Sequence, residues 1–190
     1  MSRPQVVRDL SLAAHWLRSM EPYCTERTAE DETSPHSWCS RMFRSTTQGG
    51  YSTAVSRHPD RVLARKRSVE VEVQFASRAT AIQAREGLVH ARPTDAVLSS
   101  ADGGQWVVPH EHFAEKYRAV PPTPEGVDGR YVSLPYSVMA VPMSGEFEVL
   151  LADGISLLRG QPRDWLVDYG DGSFGIVSEE IFRKTYDLVG

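Results

Sequence analysis

The chain has 190 residues, 41% of them hydrophobic, with 14 glycines, 12 prolines and a formal net charge of −4. That supplies packed cores for one full domain or two small ones, and is too apolar for a disordered chain. No apolar run approaches the ~20 residues that cross a bilayer, Arg8 and Asp9 interrupt the opening stretch before a signal-like core develops, and Cys24 and Cys39 alone make no disulfide scaffold, so the expectation is a reduced, cytoplasmic protein without a membrane partner.

Charge is uneven. Residues 1–67 carry 11 Lys and Arg against 7 Asp and Glu, and residues 68–190 carry 10 against 18. The acidic part suits a phosphate backbone poorly, because such a partner rewards clustered cations. One basic stretch, Arg57 to Arg67, offers Arg61, Arg65, Lys66 and Arg67 as a weak nucleic-acid contact. The plainer reading is a solvated lead into the first strand.

In chain order, Val7, Leu10, Ala14, Leu17 and Met20 recur at helical spacing and predict a helix within residues 1–22, ended by Pro22. Residues 23–35 read as an acidic loop. Residues 36–45 form a short helix or strand around Trp38, Met42 and Phe43, and Thr46 to Ser56 is irregular. Ser68 to Phe75 alternates with period two: Val69, Val71, Val73 and Phe75 share one face of a half-buried strand. Ala76 to Glu86 reads as a short helix, Gly87 to Ala91 as a strand, Ala96 to Ser100 and Gln105 to Val108 as a hairpin, and Pro109 to Tyr117 as a short helix. Pro121 to Arg130 is a linker. Tyr131 to Val141 reads as one strand. Glu146 to Leu151 and Ile155 to Leu158 form a hairpin around Asp153-Gly154. Trp165 to Tyr169 and Phe174 to Val177 form another around Asp171-Gly172. Ser178 is the expected N-cap of a last helix, Glu179 to Tyr186.

One segment occurs twice. Pro93–Val120 and Pro162–Val189 align at an offset of 69 without a gap, and nine of 28 pairs are identical, including Asp95/Asp164, Gly103/Gly172, Phe113/Phe182 and Tyr117/Tyr186. Chance gives roughly two. A repeat of this kind sets architecture before any single element does. The expected fold is therefore α+β, mainly β: two tandem small units of the SH3-like or bent-sheet sort, each with a short C-terminal helix. The boundaries are 1–63 for an N-terminal helical and irregular segment, 64–120 for the first unit, 121–130 for the linker and 131–190 for the second unit.

Leu88-Val-His-Ala-Arg-Pro-Thr-Asp and Leu157-Leu-Arg-Gly-Gln-Pro-Arg-Asp-Trp-Leu-Val are each followed by a Gly-rich turn, a short strand and a Phe-x-x-x-Tyr helix. In this the chain resembles the PGDYG family. Arg65-Lys-Arg-Ser-Val-Glu-Val-Glu-Val-Gln-Phe is also similar to the basic openings of small phage and prophage proteins that share the pattern. The resemblance covers most of residues 64–190 as two diverged copies. It implies a small β-rich module in a phage or actinobacterial-type context, placed in the virion or host cytoplasm if phage-encoded. The family's Gly after Pro is Thr94 in one copy and Arg163 in the other. Gly there suits the positive φ of a type II turn, so this chain is expected to use a type I or open turn. The aromatic residue after Asp is Trp165 in one copy and Ala96 in the other.

No catalytic constellation emerges. Asp95, Asp102, Asp164 and Asp171 sit in turn sequences where Asp is the usual turn former. Cys24, His36 and Cys39 lack a fourth ligand and the usual zinc spacings, so no metal site is assigned. His110 and His112 point apart on a helix. Ser173 lacks the strand–turn–helix context of a nucleophile elbow, and Gly170-x-Gly172 lacks the lysine and helix of a phosphate loop. The expected function is a non-enzymatic protein-interaction or structural module with a protein partner and no cofactor. The alternatives are a metal-dependent enzyme using the N-terminal His and Cys residues, and a nucleic-acid contact through Arg57 to Arg67. The candidate partner-binding residues are Trp165, Tyr169, Phe174, Tyr131 and Trp106, although such rings more often fill a small core.

Overall fold

The structure, a computed structural model, describes residues 41–189. The expected N-terminal helix, Cys24, His36 and Cys39 lie outside the described residues. The protein is mainly β, and two five-stranded sheets carry the fold. The first sheet runs β7 (Gln105–Val108), β6 (Ala96–Ser99), β3 (Glu70–Phe75), β9 (Gly129–Ser133) and β8 (Tyr117–Ala119). The second runs β14 (Phe174–Val177), β13 (Trp165–Asp168), β10 (Ser137–Pro142), β2 (Val62–Lys66) and β15 (Tyr186–Val189). Hairpin β4 (Thr80–Ala84)–β5 (Gly87–Ala91) forms a two-stranded sheet of its own, and β1 (Arg41–Arg44) pairs in parallel with β11 (Phe147–Leu150), which folds back on β12 (Leu157–Gly160).

Alternation does what it predicts in β3: Val71 and Val73 are buried, while Glu70, Glu72 and Gln74 face solvent. Helix α1 (Thr53–Ser56) is one turn, capped by Ser52. Helices α2 (His110–Lys116) and α3 (Glu179–Thr185) each lie over one sheet. Phe113 of α2 joins Tyr117, Tyr131, Val71, Val73, Ala96 and Leu98 in one core, and Phe182 of α3 joins Tyr186, Ala64, Val138, Ala140 and Val167 in a second. Burying each such large side chain contributes ~1.5–3 kcal/mol. A third core lies on the other face of the second sheet, where Val141, Leu166 and Ile176 meet Ala84 and Val89 of one hairpin and Phe147, Val149 and Leu158 of the other. Both faces of β13 are thus covered, and the run Leu166-Val167 is apolar throughout. The helices start differently. Ser178 Oγ accepts the Ile181 N–H at 3.4 Å, whereas Pro109 has no capping group and Asp95 Oδ1 accepts the His110 N–H at 3.0 Å instead.

From β2 and from β9 onward the elements follow the same order, whereas β1 and α1 have no counterpart. Elements β6, β7, α2 and β8 begin 69 residues before β13, β14, α3 and β15. Upstream the offset is 67: Val71↔Tyr131 in the first sheet matches Val138↔Ala64 in the second. The two extra residues sit in the second hairpin tip, where residues 151–156 replace the tight Arg85-Glu86 turn. Sheet membership nevertheless cuts across chain order. Strand β2 precedes β3 but pairs with β10 and β15, while β9 precedes β10 but pairs with β3 and β8. At the crossing, the Lys66 N–H donates to Tyr136 O at 2.8 Å, and the Ser133 N–H donates to Val69 O at 3.0 Å. Ser133 Oγ accepts the Val69 N–H at 2.9 Å and donates to Arg67 O at 3.1 Å.

Three expectations are corrected. Ala76–Glu86 contains strand β4 rather than a helix, because Ile82 and Ala84 alternate inward against Val89 and Ala91, and packing overrides a weak helical propensity. Tyr131–Val141 is two strands rather than one: Pro135 cannot donate to a ladder, and the chain changes sheets there. The Pro-x-Asp turns keep positive φ at their third position, 75° at Thr94 and 78° at Arg163. Asp95 N–H donates to Arg92 O at 3.1 Å and Asp164 N–H to Gln161 O at 3.0 Å, closing turns with the type II signature. Flanking bonds overdetermine that shape. Thr94 and Arg163 amides donate to Ala76 O and Met143 O, both at 2.7 Å, and the Asp95 and Asp164 carboxylates accept from Arg92 and Gln161 amides, both at 2.8 Å.

Candidate functional site

Strands β5 and β12 occupy equivalent places in the two halves and approach each other edge to edge. The Arg159 N–H donates to Glu86 O at 2.8 Å, and the His90 N–H donates to Ser156 Oγ at 3.0 Å. The approach is so close that a Cβ on Gly87 (φ 154°) would lie 2.5 Å from Leu157 O. Between the hairpins opens a groove of about 660 Å³, lined by Arg85, Glu86, Leu88 and His90 from one half and Ile155 and Arg159, among others, from the other. Leu88 and Ile155 are 46% and 65% exposed beside it.

The polar groups of the groove are unequally satisfied. Arg85 donates to Ser178 Oγ at 3.2 Å, and Arg159 Nε lies 3.1 Å from Glu148 Oε1. Asp164 accepts the Gln161 amide within its turn. Burial pushes the Glu86 carboxyl above its ordinary range; its own amide and Arg85 oppose this, and Asp164 adds to it. A half-buried carboxyl short of donors favours a ligand that brings an N–H or a cation. Nearby, the Ser156 hydroxyl donates to Asp153 and lies 3.2 Å from His90 Nδ1. These residue types match a hydrolytic triad, but the arrangement does not. The serine is fully buried, sits between the other two and gives its proton to the aspartate, so it is a structural clasp.

A second cluster joins the halves. Lys116 of α2 reaches Asp171 in the β13–β14 turn at 2.7 Å, with its ammonium 4.7 Å above the Tyr169 ring. Burial raises the Asp171 carboxyl, but bonds from Lys116 and from the Ser173 hydroxyl and amide outweigh it and hold the group below its usual range. Lys66 lies 4.5 Å from the Tyr186 ring centre, and burial brings its ammonium down to about 8.

The expected partner-binding aromatics are dispersed. Tyr131 and Phe174 are core residues, and Trp106 packs against the first core. Trp165 stacks on Phe182 at 4.0 Å, and Tyr169 is held between Tyr136 and Lys116. The basic stretch is split by strand alternation: Arg61 and Arg65 face outward, Lys66 turns in over Tyr186, and Arg67 is bound to Asp187 at 2.5 Å. Among the described residues no three His, Cys, Asp or Glu side chains gather as a metal site, and no helix is long and apolar enough to cross a membrane. The groove residues Arg85, Glu86, Leu88, His90, Ile155 and Arg159 were not predicted. Their one local signal is the period-two pattern Ile82, Ala84, Val89, Ala91 on either side of Arg85-Glu86.

Two five-stranded sheets with a short helix on each, and an open groove between two hairpins, define a small β-rich protein. The chain belongs to the PGDYG family: residues 87–187 match the family's model, described as PGDYG protein, in a single span. No curated protein and no solved structure matches it.

Proposed function

We propose that this protein is a binding module and that the groove between the two hairpins is its contact surface for a protein partner. The observation that carries the reading is a half-buried carboxyl, Glu86, without a side-chain donor among the described residues, in a groove it lines together with exposed Leu88 and Ile155. A partner segment that places a lysine or arginine at Glu86 and apolar groups on Leu88 and Ile155 satisfies all three. The aromatic set expected from the sequence supports this less well, since its rings are engaged in cores and stacks.

Selection of random peptides on the purified full chain tests the reading. Enriched peptides should carry a basic residue beside apolar ones, and Glu86→Gln together with Ile155→Asp should weaken them at least ten-fold. Binders that ignore both substitutions, or an enriched pool without basic residues, would overturn it.

A further inference from the structure

The crossing of β2 and β9 is reciprocal. Each half, taken as a strand followed by a sheet, gives its first strand to the other half and receives the other's in return. Strand β2 is fourth in the second sheet, between β10 and β15, and β9 is fourth in the first, between β3 and β8. The registers agree at every position: Ser137↔Arg65 matches Glu70↔Val132, and Asp187↔Arg65 matches Arg118↔Val132. So do the bonds that follow, since the Arg67 amide donates to Thr185 O at 2.9 Å and the Leu134 amide to Lys116 O at 2.8 Å. The three-residue connections 67–69 and 134–136 carry the chain from one sheet to the other.

We infer that the protein is a strand-exchanged pair of repeats fused into one chain, and that the partner each repeat is built to bind is a second repeat of the same kind. Without β2, strands β10 and β15 face each other across an empty slot, with unpaired backbone groups along both edges. Ala64, fully buried in β2, and Val138 and Tyr186 beside it lose their cover together. The connection 121–128 is only the loop of the β8–β9 hairpin, and apart from Thr123 it is exposed. Opening it leaves two fragments that are one repeat each, interlocked through their exchanged strands. Strand β2 also lies outside the span that matches the family, so the strand closing the second sheet comes from beyond it.

The test uses the full chain with Cys24→Ser and Cys39→Ser and a protease site inserted between Glu125 and Gly126. Leu63→Cys with Met139→Cys places two thiols on directly paired residues of β2 and β10. After oxidation and cleavage, most of the protein should run at full mass on a non-reducing gel and fall to two fragments with reductant. Leu63→Cys with Glu72→Cys, the pair that β2 would make by folding back on β3, should not cross-link. Glu72→Cys with Arg130→Cys repeats the test on the first sheet, should the first pair impair folding. Cross-linking of 63 to 72, or cleaved halves that part without denaturant while remaining folded, overturns the inference.

Discussion

Thr94 and Arg163 hold left-handed backbone at φ 75° and 78°, where an L side chain costs ~1–2 kcal/mol relative to glycine, most for a β-branched residue. Replacing Thr94 by glycine removes that strain and costs ~0.5–1 kcal/mol in unfolded-chain entropy. The expected net gain is about 0.5–1 kcal/mol, a rise in Tm of about 2–4 °C for each kcal/mol in a chain of this size. Arg163→Gly gains less, because Arg163 also pairs with Glu179 at 2.6 Å, and an exposed pair of this kind is worth ~0.2–1 kcal/mol. Arg163→Ala keeps the strain and loses the pair, so it should be slightly destabilising. Urea midpoints at constant slope measure all three. A lower midpoint for Thr94→Gly would show that the turn is not strained, and the argument from φ would fail.

Asp95 is buried and accepts from the Arg92 amide and guanidinium and from the His110 amide, whereas Asp164 accepts from the Gln161 amide alone among the described residues. Asp95→Ala should therefore cost ~2–4 kcal/mol and Asp164→Ala ~1 kcal/mol; equal losses by denaturant titration would contradict the bonding described. Gly160→Ala drives a methyl group into the Phe147 ring that covers it, and the expected loss is ~1–3 kcal/mol, read from Tm. Lys66 titrates near 8 when folded against 10.5 when free, so the unfolded chain binds more protons between those values. The stability it withholds below pH 8 should return as pH climbs to about 10, and Lys66→Met should show no such rise over that window. Above pH 10 the sign reverses, because burial pushes Tyr117 up to about 12 and also raises Tyr136, Tyr169 and Tyr186, while unfolded tyrosines ionise near 10. Chemical denaturation across pH 7–11 measures both limbs.

What could be read in the amino acids was local. Period two in Glu70–Phe75, turn chemistry at Asp153-Gly154 and Asp171-Gly172, and the hydroxyl of Ser178 each specify an element through neighbours close in sequence. Alignment at 69 reached Pro93–Val120 and Pro162–Val189 because both segments keep a Phe-x-x-x-Tyr pair that stacks over a sheet. Upstream, residues 62–84 and 129–151 share only Val71/Val138 and Ser77/Ser144, so the matching strands there left almost no trace. The exchange of β2 and β9 was invisible for a different reason. Alternation says that Ala64 faces a core, but which sheet it completes depends on partners more than 70 residues away. The groove was hidden for the same reason, since its two walls are hairpins about 70 residues apart. Thr94 and Arg163 misled because residue type argued for one turn while four flanking hydrogen bonds enforced another.

Shared strands mean that neither sheet can open without stripping the other of its fourth strand. Urea unfolding of the full chain, followed in parallel by far-ultraviolet circular dichroism and by tryptophan fluorescence, measures that coupling directly. The two signals should fall together in one transition with a single midpoint. Two separated transitions, one sheet melting while the other stands, would contradict the interlocked fold.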